Sequence, residues 1–190
     1  MKKLVCITMI ASLVLAAGCS SSPTNTSASS NTTSQQEQKA TPKSGYYFKD
    51  GELNIRDVNI KITNTKLFKQ DELRGEMMSN EGPVLLITYD FTNKTDEPMS
   101  PMIGFMACFQ PTQETDKTIE NLEPAPTVLD NPEYGPLFEM DMTDVKPGET
   151  VQSAALYSVK YPGKPVKVVV SQGMDKKLGE FTVDTASLAE

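Results

Sequence analysis

Val84-Leu85-Leu86-Ile87-Thr88-Tyr89-Asp90-Phe91 alternates with a period of two: Leu85, Ile87, Tyr89 and Phe91 make one apolar face, and the other face ends in Thr88 and Asp90. Successive side chains of a strand point to opposite sides, so this stretch predicts a strand lying on a core. The alternation recurs in Val58, Ile60 and Ile62 against Asn59, Lys61 and Thr63, in Val166, Val168 and Val170 against Lys167 and Ser171, and in Phe181 with Val183. Met102 to Phe109 is apolar on both faces and reads as a central strand; Val151 to Val159 reads as a further one.

Turn chemistry separates these runs. Lys49-Asp50-Gly51-Glu52 carries the Asp-Gly hairpin signal, Asn93-Lys94-Thr95-Asp96-Glu97-Pro98 is a polar turn between two extended segments, and Lys146-Pro147-Gly148-Glu149 places Pro and Gly at adjacent turn positions. Between Pro111 and Pro136 the pattern gives way to a Pro-rich connection. Apart from at most one helical turn at Thr118 to Leu122, no helix is expected after residue 44. Short strands without intervening helices predict an all-β fold, an antiparallel immunoglobulin-like β-sandwich over residues 45–190, with a closed barrel as the alternative. The chain has no Trp, so the Cys-Trp-Cys core of an antibody domain is excluded.

The N-terminal part has a different character. Lys2 and Lys3 precede an apolar stretch from Leu4 to Leu15, and Leu15-Ala16-Ala17-Gly18 leads into Cys19. That stretch is too short for a span of about 20 residues and matches a leader, here residues 1–18, that is removed. Cleavage before Cys19 leaves a thiol for diacylglycerol transfer and an amine for a second acyl chain, such as palmitate, and two chains anchor a protein stably. The arrangement resembles a bacterial lipobox, although Ala16 stands three before the cysteine, where Leu is preferred. An ordinary leader with Cys19 incidental is the other reading. Residues 20–44 lack aromatic and branched aliphatic side chains, so they cannot bury enough surface to offset the entropy of ordering. Residues 19–44 are therefore read as a lipidated cysteine and a disordered tether reaching roughly 25 to 30 Å.

Composition narrows the chemistry. The 190-residue chain has 18 Lys and Arg against 25 Asp and Glu; losing Lys2 and Lys3 leaves 16 against 25, a net charge of -9. An acidic chain without a basic stripe does not track phosphate backbones, so nucleic acid is not an expected partner. With no histidine anywhere, Ser-His-Asp and Cys-His catalysis and nearly all zinc and iron sites fall away. Cys6 leaves with the leader and Cys19 is lipidated, which leaves Cys108 in an apolar run as a core residue. Glu139, Asp141 and Asp144 lie close in sequence, and the first two share a face if the segment is a strand. A glycosidase pair also needs a cleft with stacking aromatics, so no enzyme is expected. Asp130, Asn131, Glu133, Asp141 and Asp144 offer oxygen ligands to calcium without EF-hand spacing, and a solvated loop explains them equally. Met99, Met102, Met106, Met140 and Met142 could present thioethers to Cu(I), or simply fill gaps in a core. No cofactor or metal is expected.

Taken together, the strand Val58 to Thr65, Ile87-Thr88-Tyr89-Asp90-Phe91-Thr92-Asn93-Lys94, and Lys146-Pro147-Gly148-Glu149 some 50 residues later resemble the lipoproteins of Gram-positive bacteria that carry a C-terminal immunoglobulin-like domain of unknown function. The resemblance covers about residues 45 to 184. It implies a two-sheet sandwich and a cell-surface location, and it brings no catalytic residues.

Location and fold lead to the expectation of a non-enzymatic protein, lipid-anchored on the extracytoplasmic face of the cell membrane, whose sandwich binds another protein. Rival expectations are a small-ligand or metal-ion-binding envelope lipoprotein and an inhibitor of an extracellular enzyme. The candidate contact surface is the connection from Glu114 to Pro136, with Asp130, Glu133 and a partly exposed Tyr134, unless that connection only crosses between sheets. Replacing Cys19 by Ala is expected to block acylation and cleavage, so that the protein no longer partitions into detergent as a processed lipoprotein; unchanged processing and partitioning exclude the lipobox.

Overall fold

The computed structural model describes residues 45–69, 72–73, 82–173 and 176–188. The leader, Cys19 and the tether lie outside the described residues. Strands β1 (Tyr47–Lys49), β2 (Glu52–Asn54), β3 (Val58–Phe68) and β4 (Val84–Asn93) are followed by helix α1 (Pro101–Cys108), strands β5 (Phe109–Glu114) and β6 (Ile119–Asn121) and helix α2 (Gly135–Asp141). Strands β7 (Thr150–Ser158), β8 (Val166–Gln172) and β9 (Lys176–Val183) complete the chain. They form two sheets, β1-β2-β3-β4-β7 and β6-β5-β8-β9, with every neighbouring pair antiparallel.

The alternating runs lie where the period of two puts them. Leu85, Ile87, Tyr89 and Phe91 of β4 and Val166, Val168 and Val170 of β8 are fully buried in one cluster between the sheets. Val58 and Ile60 of β3 join them, and a bulge at Thr63 then shifts the phase, so that Leu67 lies opposite Leu85 and Phe68 opposite Val84. The β1-β2 hairpin closes through Asp50 and Gly51 at φ 52° and 78°, the left-handed pair that a two-residue Asp-Gly turn requires. Phe48 stacks on Phe181 with ring centroids 6.1 Å apart, joining the free edges of β1 and β9.

The two turn motifs that stand about 50 residues apart in sequence meet in space. Asn93 is fully buried; its Nδ2 donates to the carbonyls of Glu97 and Val145, each at 2.8 Å, and its Oδ1 accepts from the Thr95 amide and hydroxyl. Its backbone carbonyl accepts from the Gly148 amide at 2.8 Å, and Gly148 sits at φ 80°. The shared motif is thus a buried clamp between two turns, with every polar atom of the Asn93 side chain in use.

Three expectations need correction. Met102 to Phe109 is not a strand: residues 101–108 are α1, which begins with Pro101 in its first turn and buries Pro101, Gly104, Phe105 and Cys108. That i, i+3, i+4, i+7 spacing is a helical stripe, hidden in the sequence because the positions between are apolar too. Gly104 is required there, since a Cβ would sit 2.5 Å from the Phe91 ring. Thr118 to Leu122 holds β6 rather than a helical turn, and Glu139 and Asp141 lie on α2 rather than on a strand.

The long connection crosses from one sheet to the other. The Leu122 amide donates to Pro111 in β5, the Ala125 amide donates to Leu156, and the Ser158 amide donates to Glu123, so residues 123–125 line the free edge of β7. Helix α2 packs next along β7. Its Phe138 joins Leu86, Ala154 and Leu156 in a second cluster on the outer face of the five-stranded sheet.

Ile87→Ala is expected to cost about 2 to 5 kcal/mol by leaving a cavity, and Thr88→Ala, on the half-exposed face, under about 1 kcal/mol. Denaturation midpoints check this; equal losses contradict the packing.

Candidate functional site

The expected contact loop is only partly at the surface. Asp130 and Glu133 are exposed, but Tyr134 is just 8% exposed, which overturns the expectation of a partly exposed ring. The Asn131 carboxamide oxygen accepts from the amides of Glu133 and Tyr134 and turns the chain inward. The Tyr134 ring then packs edge-on against Phe68 with centroids 5.8 Å apart, and its hydroxyl accepts from Lys66 Nζ at 3.3 Å. Tyr134 therefore docks α2 onto the sheet.

Nor do the acidic residues converge. Glu139 and Asp144 are exposed while Asp141 is buried, and among the described residues no three acidic or cysteine side chains are placed to hold a metal ion. Met99 packs against the core and Met140 is half-buried, so they stand apart from Met102, Met106 and Met142. Cys108 is buried, and burial pushes its thiol up from the ordinary value, away from the reactive thiolate.

What the structure does assemble is a cleft between the helices. Phe105 anchors α1 by stacking at 4.5 Å on both Tyr89 of β4 and Phe109 of β5. With that face buried, Ile103 and Met106 on the opposite face are 59% and 56% exposed, and Met142 just after α2 is 54% exposed. Met102, Met106 and Met142 rim a cleft of about 240 Å³ walled by Phe105, Tyr157 and residues 124–127 of the crossover. Exposed apolar residues are ordinary when scattered; three methionines gathered around one concavity mark a candidate contact site.

Asp141 lines this cleft and is 8% exposed. Its Oδ1 accepts from the Tyr89 hydroxyl at 2.5 Å and the Ser153 hydroxyl at 2.8 Å, which ties α2 to β4 and β7. Among the described residues no cation pairs with it and its Oδ2 accepts no side-chain hydrogen bond. Burial raises its pKa, against the opposing pull of the two hydroxyls. Their own burial, and then its charge, push the Tyr89 phenol up and the Tyr157 phenol to about 12, so both remain protonated at neutral pH. Sequence reading missed this group because the three residues come from separate elements and Asp141 sits among exposed acids.

Comparison with known proteins matches residues 29–172 to a family described as domain of unknown function DUF5067. No curated protein matches the chain. Among solved structures, a candidate lipoprotein from Staphylococcus aureus is 16% identical with a TM-score of 0.62, over 75% of this chain and 94% of that one. A protein from Enterococcus faecalis determined by NMR is 18% identical with a TM-score of 0.58, over 73% and 92%. At these identities the likeness is one of fold. Among the described residues, no helix is long and apolar enough to cross a membrane.

The raised pKa of Asp141 fixes the sign of a pH effect. The folded state holds this proton more tightly than the unfolded chain, whose ordinary Asp value is about 3.9, so the group's stabilising contribution is full below that value and is lost as pH rises through the folded pKa. Asp141→Asn keeps an acceptor oxygen for the two hydroxyls without the charge. The variant is expected to melt above the wild type at pH 7, with the gap closing below about pH 4. A variant that melts lower at pH 7 contradicts the assignment of Asp141 as a buried charge that costs stability.

Proposed function

The chain belongs to the DUF5067 family, and from that premise we propose that it is a non-enzymatic protein, anchored through acyl chains on Cys19 to the extracytoplasmic face of the cell membrane, whose immunoglobulin-like sandwich binds another protein. The observation that carries the binding role is the group of Met102, Met106 and Met142 exposed around the cleft between α1 and α2. A helix that buries one apolar stripe and leaves a second in water is half-partnered, and flexible, polarisable methionine suits a surface that adapts to another chain. Anchoring is supported by the leader and lipobox-like residues before Cys19, and by the tether that follows. The contact surface thus moves from the loop at Asp130 and Glu133 to the helical face beside it.

A photo-crosslinking residue placed singly at Met106, at Asp130 and at Thr182 on intact cells distinguishes the surfaces. The expected outcome is a discrete adduct from position 106, competed away by excess purified wild-type protein but not by a Met142→Glu variant of unchanged melting temperature. Adducts from positions 130 or 182 with none from 106 overturn the helical face as the contact surface.

A further inference from the structure

We propose that the cleft between α1 and α2 receives a cationic anchor, the lysine or arginine side chain of the partner protein. This deepens the binding role above and rests on it. The first argument is the unused valence of Asp141. A carboxylate has sites for about four hydrogen bonds, and a buried one without a counter-charge is costly. Here both observed donors, Tyr89 and Ser153, take the same oxygen, and Oδ2 remains without a side-chain donor among the described residues although Asp141 lines the cleft. An ammonium or guanidinium supplies the missing donors and the missing charge together.

The second argument is the wall chemistry. Phe105, Tyr157 and Phe138 border the same cleft, and the low-dielectric wall they make strengthens a charge-assisted hydrogen bond formed against it. Met102 and Met106 offer thioethers and methyl groups to the aliphatic stem of a long basic side chain, which buries its carbons while its head is satisfied further in. The third argument is size. At about 240 Å³ the cleft lies under the range of roughly 300 to 1,000 Å³ that houses free small molecules, so it fits one side chain, and the rest of the contact falls on the exposed Met106 and Met142. An apolar side chain leaves Oδ2 unsatisfied, a neutral hydroxyl or amide supplies a donor without the counter-charge, and an acidic one meets a like charge on a chain of net charge -7.

The test uses the lipidated mature protein in nanodiscs of zwitterionic lipid, with methionine methyl groups isotope-labelled for NMR. Four probes share one carbon skeleton: n-butylguanidinium, n-butylammonium, n-butanol and butyrate. The two cations are expected to shift the methyl resonances of Met102, Met106 and Met142 saturably, at concentrations about tenfold lower than butanol or butyrate. Asp141→Asn is expected to erase that preference, and a capped Leu-Lys-Leu peptide to bind more tightly than butylammonium. Equal shifts by butanol and the cations overturn the proposal, as does absence of a saturable shift by either cation up to about 10 mM. Binding of butylammonium without the peptide also overturns it, because the cleft then takes a free amine. The wild-type comparison among probes stands whether or not the variant folds. A cross-link from position 106 that persists when these shifts fail leaves the binding face intact and removes only the cationic anchor.

Discussion

The stack of Phe105 between Tyr89 and Phe109 is the contact on which the arrangement of this molecule turns. Tyr89 belongs to the five-stranded sheet and Phe109 to the four-stranded one, so a single ring from a helix bridges both layers. Stacked aromatic pairs contribute about 0.5 to 1.5 kcal/mol each beyond the area they bury, which makes this ring a strong local anchor. Gly104 beside it lets the helix backbone come within reach of Phe91, where any side chain would collide. The position and rotation of α1 are thereby determined from inside the core.

That rotation has a consequence at the surface. With Pro101, Gly104, Phe105 and Cys108 turned inward, Met102, Ile103 and Met106 have nowhere to go but out. The same Tyr89 whose ring supports Phe105 gives its hydroxyl to Asp141, so the inner end of α1 and the end of α2 are held by one residue. The cleft is therefore not a gap left by poor packing: both walls are tied to the core strand β4. Preorganised walls lower the ordering cost of binding.

The strands and hairpins were legible in the sequence because their signals are local. Alternation in Val84 to Phe91 and the Asp50-Gly51 pair each carry their meaning within a few residues. The helices were not, for opposite reasons. In α1 every position is apolar, so a helical stripe and a two-faced strand look alike; in α2 only seven residues, with Pro136 in the first turn, leave too short a window for a period to show. Tyr134 was read as exposed because it lies in a polar, Pro-rich loop, while its burial depends on Lys66 and Phe68 from a strand far back in the chain. Asp141 is the clearest case of information that no local reading holds. Three acids within six residues look equivalent, and only the meeting of α2 with β4 and β7 selects one of them for burial.

The proposed anchoring and the small cleft make sense of each other. A site that grips one side chain and a modest apolar surround cannot bury the area of a standard interface of about 1,600 Å² through the cleft alone, so its own affinity is limited. Confinement changes that arithmetic. On the proposed anchoring, a tether of roughly 25 to 30 Å would keep the domain in a thin layer above the bilayer, and a partner confined to the same layer would meet it at an effective concentration that a freely diffusing partner does not reach. Weak, reversible recognition then suffices. The costly part of the design is the buried charge of Asp141. A chain selected for stability alone has no use for a carboxylate oxygen left without a donor, whereas a surface that must tell a basic side chain from a neutral one of equal size needs a difference of this kind.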